Sequence, residues 1–294
     1  MQATNQELDG HWLLGSVADF RDDPLAFMAA LANSGHPVTK FNLGPRQFFF
    51  ISEPDLMHEI MVKRRDVFAR GGTIQKILRR TMGDGILVSD GKPWLRQRRM
   101  MQPAFHMRQI ANYADIMVAH SLEFVEQLQH GEMVDMRTAM NRLTLGIVTE
   151  AMFDSDGTQY ADVVGDLIDA LQESAIAEVR SPIGLPEWVP TPGRRLNNER
   201  SQRLRDIIQG IVDARRVDSD AEHKHDLLTM LLAARDEDTG EGMTDNEIID
   251  EVITIFLAGY DTTSLALSWS LYCLAQAPQV REKLLAEVDS VLGG

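Results

Sequence analysis

The sharpest chemical signal in this chain sits inside an apolar, helix-like run. In EVITIFLAGYDTTSLALSWSLYCLAQAP, Asp261 is followed by Thr262 and Thr263 and preceded by Ala258 and Gly259. A glycine in a helix interior gives up about 1 kcal/mol relative to alanine, and a buried carboxylate is costly unless paired. A threonine hydroxyl can bond the carbonyl four residues back and compete with the helix. Together these residues predict a locally widened turn, where a small molecule can touch the backbone. An alcohol and an acid beside it could hold water and pass protons into a dry site. The plainer reading, a core helix whose polar groups only bond one another or backbone carbonyls, uses the same residues.

A second constellation lies far upstream. Trp94 and Arg98, in GKPWLRQRRMMQPAFH, are four apart and therefore on one helical face. An indole N–H and a guanidinium converging there suit a carboxylate, to which the guanidinium can give two parallel bonds. The competing reading is a solvated basic face of Arg96, Arg98 and Arg99. Two further clusters have ligand-like residue types. His223, His225 and Asp226 could bind a metal, but they sit in a charged stretch and read as a solvated linker. Asp236, Glu237 and Asp238 resemble the acidic clusters that hold magnesium in all-helical isoprenoid enzymes, yet they run into Thr239 and Gly240 and read as a loop. Met100, Met101 and Met107 read as gap-filling core residues.

Long helices must position these groups. Thr244 and Glu247 have the form of a capping box and Pro278 stops the pattern, so the helix over 245–277 is expected to be about 50 Å long. Between Val252 and Val280 its only charged side chain is Asp261, which predicts burial on nearly every face, Asp261 included. Its polar centre and the lack of a basic flank argue against a membrane span. Further helices are expected over 93–102, ended by Pro103, and over about 107–130 and 137–153. The segment 181–193, with four prolines, reads as a loop between helices, and 71–91 as irregular. PVTKFNL and RQFFFIS flank Gly44-Pro45 and predict a β hairpin over 37–52. The fold class is mainly α with a small β region near the N-terminus.

Composition narrows the function. The 294 residues carry a formal net charge of −15, which argues against a nucleic-acid backbone or an anionic membrane as partner. Cys273 is the single cysteine, so neither an intrachain disulfide nor a cysteine zinc site is available, and a cytoplasmic setting fits. The N-terminus lacks the pattern of a secretion signal or membrane anchor.

AGYDTT resembles the oxygen-binding signature of the long central helix in cytochrome P450 monooxygenases, and the residues through LAEVD after it are similar to that family too. Trp94 and Arg98 resemble the family's tryptophan and arginine that bind a haem propionate, and 181–216 resembles the loop and helix that roof its substrate pocket. The resemblance implies the P450 fold and haem b (iron protoporphyrin IX) as cofactor. It implies Thr262 as the alcohol that stabilises the oxygen species and Asp261 as its acid partner in proton delivery. Ala258 and Gly259 would pass over the haem face. The implied reaction is O2-dependent hydroxylation of an apolar organic substrate, with electrons from a ferredoxin or flavoprotein reductase.

The family's cysteine-ligand loop and its E-x-x-R pair are not found here. Cys273 lies eleven residues after Thr262, about 16 Å along the same helix, whereas the axial ligand must lie across the haem from the oxygen. It reads as an ordinary buried cysteine. Residues 1–294 are therefore expected to be an incomplete P450 domain, inactive alone, with the axial thiolate supplied by a missing C-terminal segment and a complementary C-terminal fragment as a partner. Such a chain should expose apolar surface and an unpaired strand edge, and be poorly soluble or molten. The alternative is a noncatalytic helical ligand-binding remnant.

Overall fold

A period-two apolar pattern near the N-terminus gives way to helical periods, and each builds its own unit. The computed structural model describes residues 6–293 apart from 9, 13, 66, 70, 155–158, 181–188 and 190. One unit takes residues 1–74 with 176–189, the other 75–175 with 190–294.

The smaller unit contains β1 (Gln6–Glu7), α1 (Val17–Asp22), α2 (Pro24–Ala32), β2 (Val38–Leu43), β3 (Arg46–Ile51) and α3 (Pro54–His58), which continues as a wider helical turn over Glu59–Lys63. β2 pairs in parallel with β1 and antiparallel with β3, with Val38 opposite Ile51 and Leu43 opposite Arg46. Gly44 makes the tight connection possible at φ 60°, a region glycine enters without a Cβ penalty. Phe41 packs edge-on to Phe27 at 5.3 Å between ring centres, and Leu31 completes the buried cluster. Asp23 caps α2 by accepting the Ala26 N–H at 2.9 Å. Among the described residues β3 pairs on one side only, with Phe48 and Phe49 exposed.

The larger unit is all helix: α4 (Thr73–Met82, from Gln75 onward), α5 (Gly91–Met101), α6 (Met107–Gln127), α7 (Met136–Phe153), α8 (Ala161–Arg180, up to Ala175), α9 (Pro192–Val217), α10 (Leu227–Ala233), α11 (Asp245–Gln276) and α12 (Pro278–Leu292). Its core joins Leu204, Ile208 and Val212 of α9 to Leu228 of α10 and to Val252 and Phe256 of α11. The capping box at the start of α11 is present, with Glu247 N–H donating to Thr244 Oγ1 at 3.3 Å and Thr244 N–H to Glu247 Oε2 at 2.8 Å. A buried ion pair fastens three helices. Arg215 of α9 pairs with Asp226, the N-cap of α10, and donates to the Phe153 carbonyl of α7 at 2.8 Å.

Four expectations need correction. Residues 71–91 are not irregular throughout, because TIQKILRRTM, with no internal glycine, forms α4 between Gly72 and Gly83. The helix α8 had no sequence assignment, although Val164, Ile168 and Leu171 repeat at helical spacing and are buried. The central helix is not buried on nearly every face. Its first half lies in the core, but from Leu265 on it is only half-buried or exposed. Cys273 is accordingly exposed, as are Trp269 and Tyr272, since burial requires packed neighbours as well as apolar residues. The loop expected over 181–193 lies largely outside the described residues, and α9 after it starts at Pro192 under a Thr191 cap.

Gly210 offers a check on this helix assignment. It is exposed inside α9, and an added Cβ would meet nothing within 4 Å. Gly210→Ala is expected to stabilise the larger unit by about 0.5–1 kcal/mol through helix propensity, seen as a higher urea midpoint at unchanged m-value.

Candidate functional site

The AGYDTT segment stays regular α-helix, so the expected widening is absent. The Thr262 hydroxyl donates to the Ala258 carbonyl within the continuous helix. Ala258 and Thr262, four residues apart, share an exposed face, whereas Tyr260 and Ser264 are buried. Gly259 faces elsewhere: a Cβ there would come within 3.1 Å of Val148 Cγ2 on α7. The glycine thus serves the close approach of α11 to α7 and does not lie on the open face with Ala258 and Thr262.

Hydrogen bonds run along the α7–α11 contact. Thr144 Oγ1 donates to the Tyr260 carbonyl at 3.0 Å, and the Ser264 hydroxyl bridges Asn141 Oδ1 and the Asp261 carbonyl. The buried Tyr260 hydroxyl donates to Asp169 of α8. Asp261 is half-buried rather than fully buried. Its carboxyl is held above the usual range, mainly by partial burial, with the charge of Asp169 adding and Arg137 opposing. Partial burial disfavours the charged form of an acid, which is the direction of this shift.

α5 presents the second constellation. The Arg98 guanidinium lies over the Trp94 ring, 5.3 Å from its centroid, a cation–π arrangement. Arg98 is exposed and Trp94 half-buried. The neighbouring arginines do not form a free basic face. Arg96 bonds Glu247 at 2.7 Å and the Gly242 carbonyl at 2.9 Å, and Arg99 pairs with Asp238 at 2.9 Å. They bind α5 to the loop before α11, which also accounts for the acidic cluster. Burial pushes the Asp236 carboxyl up, but the Thr239 and Asp238 N–H groups and the Thr239 hydroxyl, helped by Arg99, outweigh it and hold the group below its ordinary value. Asp226 likewise belongs to Arg215, while His223 and His225 are exposed. Among the described residues no group of three such side chains is placed to hold a metal ion.

Two carboxylates escaped the sequence reading. Asp250 and Glu251, just before the apolar run, are 8% and 0% exposed. Asp250 accepts from Arg205 of α9 and from the Asp84 N–H at 2.8 Å, and Glu251 accepts from the Ile86 N–H at 3.0 Å. Their opposite number is the Gly83–Ile86 turn. Gly83 has φ 74°, and a Cβ on it would overlap the Asp250 carboxylate. The available signal was a glycine pair around one residue, GDG, and an acid pair entering a buried helix. From the turn the linkage continues to α5, where Gln97 donates to the Asp84 carbonyl at 2.8 Å and accepts from Ser89.

The cytochrome P450 family model matches residues 6–294. The chain belongs to the cytochrome P450 family. Among similar P450s, cyclooctatin synthase of Streptomyces melanosporofaciens is 32% identical over 100% of this chain and 66% of its own length. Cyclooctat-9-en-7-ol 5-monooxygenase of the same organism is 32% identical over 96% of this chain and 61% of itself. Pentalenene oxygenase of Streptomyces avermitilis is 30% identical over 92% and 59%. The crystal structure of the cytochrome P450DA heme domain matches with a TM-score of 0.83 over 99% of this chain and 65% of that one, at 24% identity, a likeness of fold. The chain thus spans less than two thirds of the length of these P450s. No helix among the described residues is long and apolar enough to cross a membrane.

Proposed function

We propose that these residues form the oxygen-side half of a haem monooxygenase, which hydroxylates an apolar organic molecule with electrons from a redox partner. The observation that carries this reading is the exposed Ala258–Thr262 face of α11, with the half-buried Asp261 next in sequence and its carboxyl held above the usual range.

The donor set fits a haem in part. The Arg98 fork stacked on Trp94 suits a propionate carboxylate, Arg98 through bidentate bonds and Trp94 as its platform. The small Ala258 side chain leaves room for a flat ring. The axial position is another matter. Cys273 follows Thr262 by eleven residues on the same helix, about 16 Å along its axis, and is exposed. We therefore assign the thiolate to a polypeptide segment outside residues 1–294.

When bound, the haem supplies O2 binding and activation. The chain's own residues handle the proton. Asp261, whose carboxyl partial burial holds above the usual range, relays a proton toward the open face. Thr262, whose hydroxyl hydrogen points to the Ala258 carbonyl, turns its lone pairs to that face and accepts a hydrogen bond there. Two of the similar P450s are named for cyclooctat-9-en-7-ol and pentalenene, which supports a weakly polar carbon skeleton as the substrate.

The test is made on the chain joined by a polypeptide carrying the cysteine loop, loaded with haem and reduced. A thiolate-type carbon monoxide Soret band should require the added segment. In that protein Thr262→Ala is expected to lower the product formed per electron consumed by about tenfold or more, within the range of one proton-transfer group. Unchanged coupling would remove Thr262 from the proposed role.

A further inference from the structure

Glu251 is the most deeply buried carboxyl described in the molecule, and only half of it is satisfied. Its Oε2 accepts the Ile86 N–H at 3.0 Å, while Oε1 has no partner among the described residues. One turn on, the Thr254 hydroxyl is buried and also lacks a partner, and Gly85 closes over it so tightly that a Cβ would stand 2.1 Å from its oxygen. The surrounding charges are otherwise committed. Asp250 is taken by Arg205, Glu247 by Arg96 and Asp84 by Arg79. Among the described residues no cation is hydrogen-bonded to Glu251.

We propose that Glu251 is a proton-operated latch: with its carboxyl neutral the Gly83–Ile86 turn closes on α11 and holds α5 in place, and its ionisation releases the turn to water. Asp250 is the fixed half of this clasp, since Arg205 balances its charge. Glu251 is the switchable half. The turn reaches α5 through Gln97, which bonds the Asp84 carbonyl at 2.8 Å, so the latch positions the helix that carries Trp94 and Arg98. That last consequence rests on the reading of those two residues as an anion site, whereas the latch itself does not.

The direction of the pH effect follows from burial. Desolvation pushes the Glu251 carboxyl from 4.5 up to about 7, the Ile86 N–H opposes the rise, and Asp250 and Glu247 add to it. The closed turn therefore holds a proton that an opened, hydrated turn gives up. Closure is fully favoured below about pH 4.5 and loses its advantage as pH rises to about 7. The loss is on the order of a hundredfold in the closed-to-open ratio.

Backbone amide exchange, resolved by residue in the full chain, tests this. Between about pH 5 and about pH 8 the protection factor of the Ile86 amide should fall on the order of a hundredfold, while that of Ile208 in the core stays constant. Glu251→Gln, which keeps the acceptor and removes the titration, should make the Ile86 profile flat. A flat wild-type profile, a parallel fall at Ile208, or an undiminished fall in Glu251→Gln would each overturn the latch. Metal-free protoporphyrin IX, followed by its fluorescence, probes the anion site separately. Binding that weakens with pH in the wild type but not in Glu251→Gln supports transmission to α5. If Ile86 responds and porphyrin binds equally well across this pH range, the transmission to α5 fails and the turn latch stands, whereas no porphyrin binding at any pH removes the anion reading of Trp94 and Arg98.

Discussion

Replacing Arg215 by methionine is expected to destabilise the larger unit by about 3–5 kcal/mol, the range for removing one partner of a buried ion pair. The side chains of Arg215 and Asp226 are 2% and 4% exposed, so water cannot take over the charge that Asp226 would be left with. Arg215 also donates to Thr229 Oγ1 at 2.6 Å and to the Phe153 carbonyl at 2.8 Å, and both acceptors would lose a donor in the interior. The cost is mostly that of stranded groups. Arg215→Met with Asp226→Asn should therefore recover part of it, because asparagine keeps an oxygen for the Thr229 N–H that caps α10. Urea unfolding followed by far-ultraviolet circular dichroism measures both variants. A loss below about 1 kcal/mol in Arg215→Met would show that the pair contributes little.

Gly85→Val should have the next largest effect, about 3 kcal/mol or more, and it should reach the anion site as well as stability. A Cβ at position 85 meets Thr254 Oγ1 at 2.1 Å and the Asp250 carbonyl oxygen at 2.8 Å. The first contact could be relieved by a rotamer change at Thr254, but the second is backbone of a core helix. The turn must then lift, which breaks the Asp84 and Ile86 N–H bonds to Asp250 and Glu251 and leaves two buried carboxylates short of donors. Gly85→Ala combined with Thr254→Ala removes the nearest overlap and should restore part of the stability. If Gly85→Val instead melts within about 1 kcal/mol of the parent, the turn is not clasped as described.

Much of the framework could be read from residue order because it rests on local chemistry. The capping box at Thr244 and Glu247 and the hairpin at Gly44-Pro45 each depend on a few neighbouring residues. So does the shared face of Trp94 and Arg98. What could not be read depends on distant partners. A run such as LALSWSLYCLAQ is apolar whether or not anything packs on it, and its exposure in α11 was therefore invisible. The acidic residues Asp236 and Asp238 look like a charged loop until Arg96 and Arg99 are brought to them. Glu251 adjoins the apolar run and carries no local sign of burial. Its meaning comes from Gly85 and Ile86, some 165 positions earlier. That Val148 comes close to Gly259 could not be read either, because a missing side chain does not indicate which surface approaches it.

The hydrogen bonds between α7 and α11 have a consequence for the identity of the presented group. A helix can slide or turn along an apolar contact with little penalty, and a turn of one residue is about 100°. Such a turn would bring Asp261 or Thr263 to the place of Thr262. Thr144 bonded to the Tyr260 carbonyl, Asn141 bonded to Ser264, and Val148 seated on Gly259 fix the rotational phase of α11. They act as an index pin: by holding the far side of the helix they select which side chains are offered on the near side, Thr262 among them, without touching it.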